Sequence, residues 1–144
     1  MTQAEQEQIE QKIMERSEEP GQFATSVGLT YESISLQGGV GYVKATKENC
    51  NPYGILHGGA YYTLMDQLAG MAACCSGRMA VTLDATVNYI RSAVLGETVR
   101  CELTAVHVGG TVAVYDAKCT GEDGRIQCTG TLHLFLMDRS LPEE

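Results

Sequence analysis

The stretch Asn51-Pro52-Tyr53-Gly54-Ile55-Leu56-His57-Gly58-Gly59, followed by Asp66, holds the groups in this chain best suited to polar chemistry. Gly58 and Gly59 open an apolar run that reads as a helix. Two glycines at a helix start let a ligand approach the backbone closely, because no Cβ intervenes. The first amides of such a helix have no internal partners and stand at the positive end of its dipole. They suit a carbonyl oxygen that becomes negative when attacked. From the glycines alone, a purely structural turn is an equal reading. Asp66 tips the balance. It lies between Met65 and Gln67 in a helix otherwise built mostly of Leu, Ala, Met, Tyr and Cys, and burying a carboxylate without partners is costly. Either Asp66 and Gln67 mark the one wet side of that helix, or Asp66 is a general base or nucleophile in a cleft.

Spacing then bears on assembly. Gly58 and Asp66 are eight residues apart, which is roughly 12 Å along a helix axis. A carbonyl held at the Gly58 amide and a water activated by Asp66 must come within about 3–3.5 Å of each other. One aspartate side chain does not close that gap. If both act on one substrate, they come from different subunits, and the expected assembly is an obligate homodimer with shared sites.

The elements that must position these groups are legible from periodicity. Ala4 to Arg16 carries helix formers with Ile9, Ile13 and Met14 at helical spacing, a narrow stripe that suits a short helix lying on the main body, ended by Pro20-Gly21. Gly28 to Leu36 and Val40 to Thr46 read as strands joined at Gly38-Gly39, and Glu48 to Leu56 as a loop. Gly58 to Ser76 is a helix that is apolar nearly all round, the mark of a buried element, and Gly77 stops it. Four strands follow, over Met79–Arg91, Thr98–Val108, Thr111–Thr120 and Arg125–Met137, separated by glycine turns. In the first of them Val81, Leu83, Ala85, Val87 and Tyr89 alternate with Thr82, Asp84, Thr86 and Asn88, giving one apolar and one polar face. Short turns imply antiparallel pairing. A single central helix that is apolar on every side needs a curved sheet wrapped around it. The fold class is therefore α+β, with residues 1–22 as an N-terminal helical extension and 23–140 as the domain proper.

Composition bounds the partners. The net charge is -8, which disfavours nucleic acid, since phosphate binding needs a basic surface. No apolar run approaches the roughly 20 residues that span a bilayer, and Met1 to Glu19 does not resemble a signal peptide. The expectation is a cytoplasmic protein that does not engage a membrane. The six cysteines include no C-x-x-C pair, and Cys50 with His57 is too sparse for a zinc site. They read as reduced, small core residues, and no metal is expected.

With these residues in view, the chain resembles the hotdog-fold thioesterases of the phenylacetate-degradation (PaaI-like) type, from about Gly28 to Met137. The shared signature is an Asn, a Gly three residues on, His-Gly-Gly, and an acidic residue on the following helix: here Asn51, Gly54, His57-Gly58-Gly59 and Asp66. The resemblance implies hydrolysis of acyl-CoA esters, with no resident cofactor beyond the coenzyme A of the substrate. It implies that the Gly58 N–H and the Asn51 side-chain amide polarise the thioester carbonyl. Asp66 of the neighbouring subunit would activate water or attack directly, and Thr82 would orient the water. His57 would shape the loop or the thioester pocket. Tyr89 and Arg91 resemble the strand end near the nucleotide, with Arg91 meeting a phosphate, and Gly59 lies beside the substrate. Many relatives carry a basic residue near the turn at Val108-Gly109-Gly110-Thr111; this chain has none there. Stacking of dimers into a tetramer is expected by the same resemblance.

Two other readings stay open on sequence. A non-catalytic acyl-CoA-binding module has the same fold but no need of a carboxylate near a thioester. A hotdog dehydratase would carry a Pro-Gly loop, and the one Pro-Gly here, Pro20-Gly21, lies in the extension. The resemblance implies an aryl or medium-chain acyl group. Tyr61, Tyr62, Met65, Leu68 and Met71 either line a tunnel for it or are core residues at helical spacing.

Overall fold

A computed structural model of the protein describes residues 1–143. Helix α1 (Gln3–Ser17) starts in a reciprocal cap: the Glu5 amide donates to the Thr2 hydroxyl, and the Thr2 amide donates to the Glu5 carboxylate at 2.7 Å. Its Ile13 is buried, with Ile9 and Met14 partly so, and the expected stripe does lie on the body. A short helix α2 (Phe23–Val27) follows that the sequence reading did not contain. It ends at Gly28, which takes the left-handed conformation (φ 100°) as a cap and is not the first strand residue as expected.

Strands β1 (Leu29–Ser35) and β2 (Gly38–Lys44) form the first hairpin. The turn is Leu36-Gln37, not Gly38-Gly39. Those glycines begin β2 because neighbouring backbone passes so close. A Cβ on Gly38 would collide with the Leu103 carbonyl, and one on Gly39 with the Ser33 carbonyl.

Helix α3 (Gly58–Cys74) comes next, then β3 (Arg78–Tyr89), β4 (Thr98–Val108), β5 (Val112–Thr120) and β6 (Ile126–Ser140). The six-stranded sheet runs β1-β2-β4-β5-β6-β3, with every pairing antiparallel. It packs on α3 from all its strands. Leu64, Met65 and Leu68 are fully buried against it, each contributing about 1.5–3 kcal/mol of apolar burial. Glycines in the sheet make room for the helix: a Cβ on Gly41 would stand 3.1 Å from Leu68, and one on Gly130 3.0 Å from the Met65 sulfur. All six cysteines are free thiols. Cys101, Cys119 and Cys128 stand side by side across β4, β5 and β6, fully buried. Burial pushes the Cys128 thiol up to about 12, and a hydrogen bond with Cys101 followed by burial raises that of Cys119. Cys119 and Cys128 are thus held as thiols, and all three are core residues rather than nucleophiles.

The simple alternation expected along β3 does not hold. The register shifts between Thr82 and Asp84, so Thr82 lies opposite buried Leu134 while Asp84 lies opposite His133. Leu83 becomes the extra residue of a bulge. Ala80, Thr82, Ala85 and Val87 consequently share the helix side, opposite Leu136, Leu134, Leu132 and Gly130. Val81 pairs with Phe135 on the outer face, and Asp84 meets the His133 ring there at 2.7 Å. One bulge thus moves a threonine from the expected polar face to the face of α3.

Candidate active site

Two clusters stand along α3. The first is at its N-terminus. His57 is the cap residue, and its Nδ1 accepts the Gly59 N–H at 2.8 Å. Accepting there places the ring proton on Nε2 and requires a neutral imidazole. The Tyr89 hydroxyl donates to the Gly58 carbonyl at 2.8 Å. Between them, His57 and Tyr89 hold both ends of the Gly58–Gly59 peptide. The preceding amide, Gly58 N–H, has no partner among the described residues. This is the orphan donor that an oxyanion site requires. The site has little slack, since a Cβ on Gly58 would stand 3.2 Å from the Tyr89 ring.

The loop leading into this turn is held on both sides. The Asn51 side-chain oxygen accepts from the Tyr53 amide at 2.9 Å and from the Ile55 amide at 3.4 Å. The Asn51 NH₂ group has no partner among the described residues. His57 N–H donates to Asn49, Leu56 N–H to Ala93, and Leu95 N–H to Gly54. The segment after β3 is pinned in turn from below. The buried Tyr61 hydroxyl donates to Gln127 at 2.6 Å and accepts from the Ala93 amide at 2.9 Å. Burial pushes the Tyr61 hydroxyl up to about 12. Gln127, only 4% exposed, passes its own NH₂ to Glu97 at 3.1 Å.

The second cluster lies two turns along the helix. Asp66 is half-buried and accepts the Thr82 hydroxyl at 2.6 Å. The β3 bulge makes this contact possible. Asp66 and Thr82 stand at one end of a cleft of about 550 Å³ between α1, α3 and the residues after β6. Within one chain the two clusters do not meet: Gly58 pairs with Tyr89, Asp66 with Thr82.

The remaining expected residues separate by environment. Gly59 is at the turn, but its N–H is taken by His57. Tyr89, expected near a nucleotide, is engaged through its hydroxyl with the Gly58 carbonyl at the start of α3. Arg91 is exposed, with no side-chain polar contact among the described residues, and only its amide is engaged, by Gln127. Met65 is fully buried under Gly130 and opens onto no cleft in the single chain. The Tyr61–Gln127–Glu97 chain was not found from sequence. Its only signal is a glutamine inside a strand flanked by apolar residues.

The sequence profile of the thioesterase superfamily matches residues 53–128, more than half of the chain. The chain belongs to that family. Human acyl-coenzyme A thioesterase 13 is 33% identical over 97 residues, which is 64% of this thioesterase and 69% of the human protein. A Streptococcus mutans protein solved bound to acetyl CoA is 28% identical, with a TM-score of 0.74 over 79% of this chain and 92% of that one. The fold matches that of the Escherichia coli PaaI protein, from the phenylacetic acid degradation operon, with a TM-score of 0.85 over 94% of this chain and 98% of that one, at 18% identity. The architecture is the hotdog fold expected from sequence. A Streptococcus pneumoniae hypothetical thioesterase, 29% identical over 76% of this chain, has been solved as two alanine variants, one of an aspartate (TM-score 0.72, over 91% of that chain) and one of a threonine (TM-score 0.71, over 90%). The two positions in that protein are sixteen residues apart, the spacing of Asp66 and Thr82 in this thioesterase.

Proposed function

We propose that this thioesterase hydrolyses acyl-CoA esters, aryl or medium-chain, to free acid and coenzyme A, at sites shared between two subunits. The observation that carries the reading is the pair of unspent devices at α3: an orphan Gly58 N–H, with an Asn51 amide that has no partner among the described residues on the loop leading into it, and a carboxylate already oriented by Thr82. The thioester oxygen accepts from Gly58 N–H and the Asn51 NH₂. Negative charge forming there meets fixed donors at a helix N-terminus. Asp66 of the partner chain takes a proton from water as the water oxygen attacks the carbonyl carbon. Thr82, whose proton is committed to Asp66, has lone pairs free to accept from that water. Collapse of the intermediate breaks the C–S bond, and the proton on Asp66 passes to the departing sulfur. Direct attack by Asp66 is the alternative route. Oxygen-18 from labelled water appears in the Asp66 carboxylate after turnover only if that route operates.

Two features support shared sites. The separation along α3 is too long for one aspartate to bridge. The strand β3 is also an open sheet edge with exposed Val81 and Leu83, the kind of edge that another strand covers. Pairing of β3 with a second copy, and tetramers built from such dimers, complete the proposal. Arg91 is free to meet a coenzyme A phosphate. As written, the reaction uses only protein groups and water. No helix among the described residues is long and apolar enough to cross a membrane. The free thiols fit a reducing compartment, which we take to be the cytoplasm.

Thiol release from a panel of acyl-CoA esters, with native protein and Asp66→Asn, tests the reading. Loss of turnover in the variant with the dimer intact and ester still bound supports it. Binding of esters by native protein without release of thiol from any of them replaces it with a binding module.

A further inference from the structure

The cleft beside Asp66 differs in character from the rest of the surface. Its walls are the aliphatic face of α1 (Ile9, Ile13), the α3 residues Met71 and Cys74, and Leu141, and no aromatic side chain lines it. It runs from the level of Asp66 to that of Cys74, about 12 Å along α3. Midway stands Gly70, where an added Cβ would meet nothing within 4 Å. A glycine in a helix interior is destabilising relative to alanine, and here the space it leaves belongs to the cleft.

The two cations at the rim are already occupied. Lys12 Nζ donates to the Glu143 carbonyl at 2.6 Å, and Arg16 to the Pro142 carbonyl at 3.0 Å. With the Leu141 N–H bonded to Gly77, they hold residues 140–143 as a strap along the cleft. An aromatic acyl group, short and flat, would leave most of a channel of this length empty.

The geometry points to an acyl chamber for linear aliphatic chains of medium length, seated in a cleft that spans about 12 Å along α3. This deepens the thioesterase reading and rests on it for the position of the thioester. The carbonyl sits at Asp66 and Thr82, and the chain runs between α1 and α3 toward Cys74, under the strap. The N-terminal helix is then part of the specificity apparatus.

The test is kcat/KM across saturated esters from acetyl-CoA to hexadecanoyl-CoA, with benzoyl-CoA, for native protein, Gly70→Leu and Leu141→Ala. The native profile is expected to peak at medium chains. Gly70→Leu lowers the decanoyl-to-acetyl ratio at least tenfold, and Leu141→Ala moves the peak to longer chains. If Gly70→Leu does not fold, Leu141→Trp carries the same expected loss for decanoyl-CoA. A preference for benzoyl-CoA over every saturated ester, or ratios unmoved by folded variants, overturns the proposal. Titration with non-hydrolysable thioether analogues separates it from the catalytic reading. Tighter binding of the decanoyl than the acetyl analogue by native protein, abolished in Gly70→Leu, supports the chamber even in a protein that releases no thiol. Equal binding of the two analogues sinks it.

Discussion

Asp66 and Thr82 form a unit at the residue scale. The 2.6 Å hydrogen bond fixes the carboxylate of Asp66 and commits the Thr82 proton. Hydrogen bonds to charged groups contribute about 1.5–3 kcal/mol. If all of that is used to orient the base, Thr82→Val lowers kcat about ten- to a hundredfold, while Thr82→Ser, which keeps the hydroxyl, stays close to native. Steady-state kinetics of the two variants checks this, and equal losses in both would assign Thr82 a packing role only. Asp66→Asn removes the base altogether, for which a fall of about 10²- to 10⁴-fold is expected. Gly58 and Asp66 were legible because each is out of place chemically, glycines at a helix start and an acid in an apolar helix, while Asn51 and His57 took their roles from the family resemblance. Thr82 was reached only through a family resemblance. Strict alternation assigned it to the face of Asp84, and nothing in the residue types announces the bulge at Leu83. The Tyr89 hydroxyl contact to Gly58 was not legible either, because it exists only after β3 has crossed the start of α3.

Elements decide how firmly that geometry is held. The Tyr61–Gln127–Glu97 chain ties α3, the segment after β3 and the start of β4 together beneath the oxyanion turn. Gln127→Leu keeps the volume but leaves the Tyr61 hydroxyl short of an acceptor and removes the Gln127 link to Glu97. Each unsatisfied buried group costs about 1–3 kcal/mol. The expected loss of stability, read from the urea midpoint, is of that order. It should come with lower kcat, because Ala93 and hence the Leu56 amide lose their support. A variant as stable as native would show that the network is replaced by water. Helices and strands long enough to repeat their period were read correctly from sequence, including the all-round apolar α3. Apart from the faces of β3, the failures are the elements without a period. The five-residue α2 has no side-chain cap at its start. Gly38 and Gly39 signal a turn by type, yet serve to admit the Leu103 and Ser33 carbonyls. Close backbone approach and turn-making call for the same residue, and only the assembled sheet tells them apart.

For the whole molecule, the open question is whether catalysis belongs to one chain or two. Helix rise separates Gly58 and Asp66 by roughly 12 Å, and the single chain keeps them in separate clusters. Complementation decides it. Asn51→Asp retains the side-chain oxygen that caps the Tyr53 and Ile55 amides but replaces the NH₂ donor with an acceptor, disabling the proposed oxyanion side. Asp66→Asn disables the base side. Each homodimer is expected to be inactive. Co-expressed, half of the dimers are mixed. In a mixed dimer, the chain with Asn51→Asp supplies an intact Asp66 to the intact Asn51 and Gly58 of its partner, while the second site carries both defects. One site in two is thus restored in half of the dimers, so about a quarter of native turnover returns if sites are shared. If each chain held a complete site, every site in the mixture would carry one defect and activity would stay at the level of the single variants. Size-exclusion chromatography on the same samples confirms that the chains are paired, so absence of recovery in an intact dimer would confine the chemistry to one subunit and require α3 to bend or the loop at Asn51 to move toward Asp66.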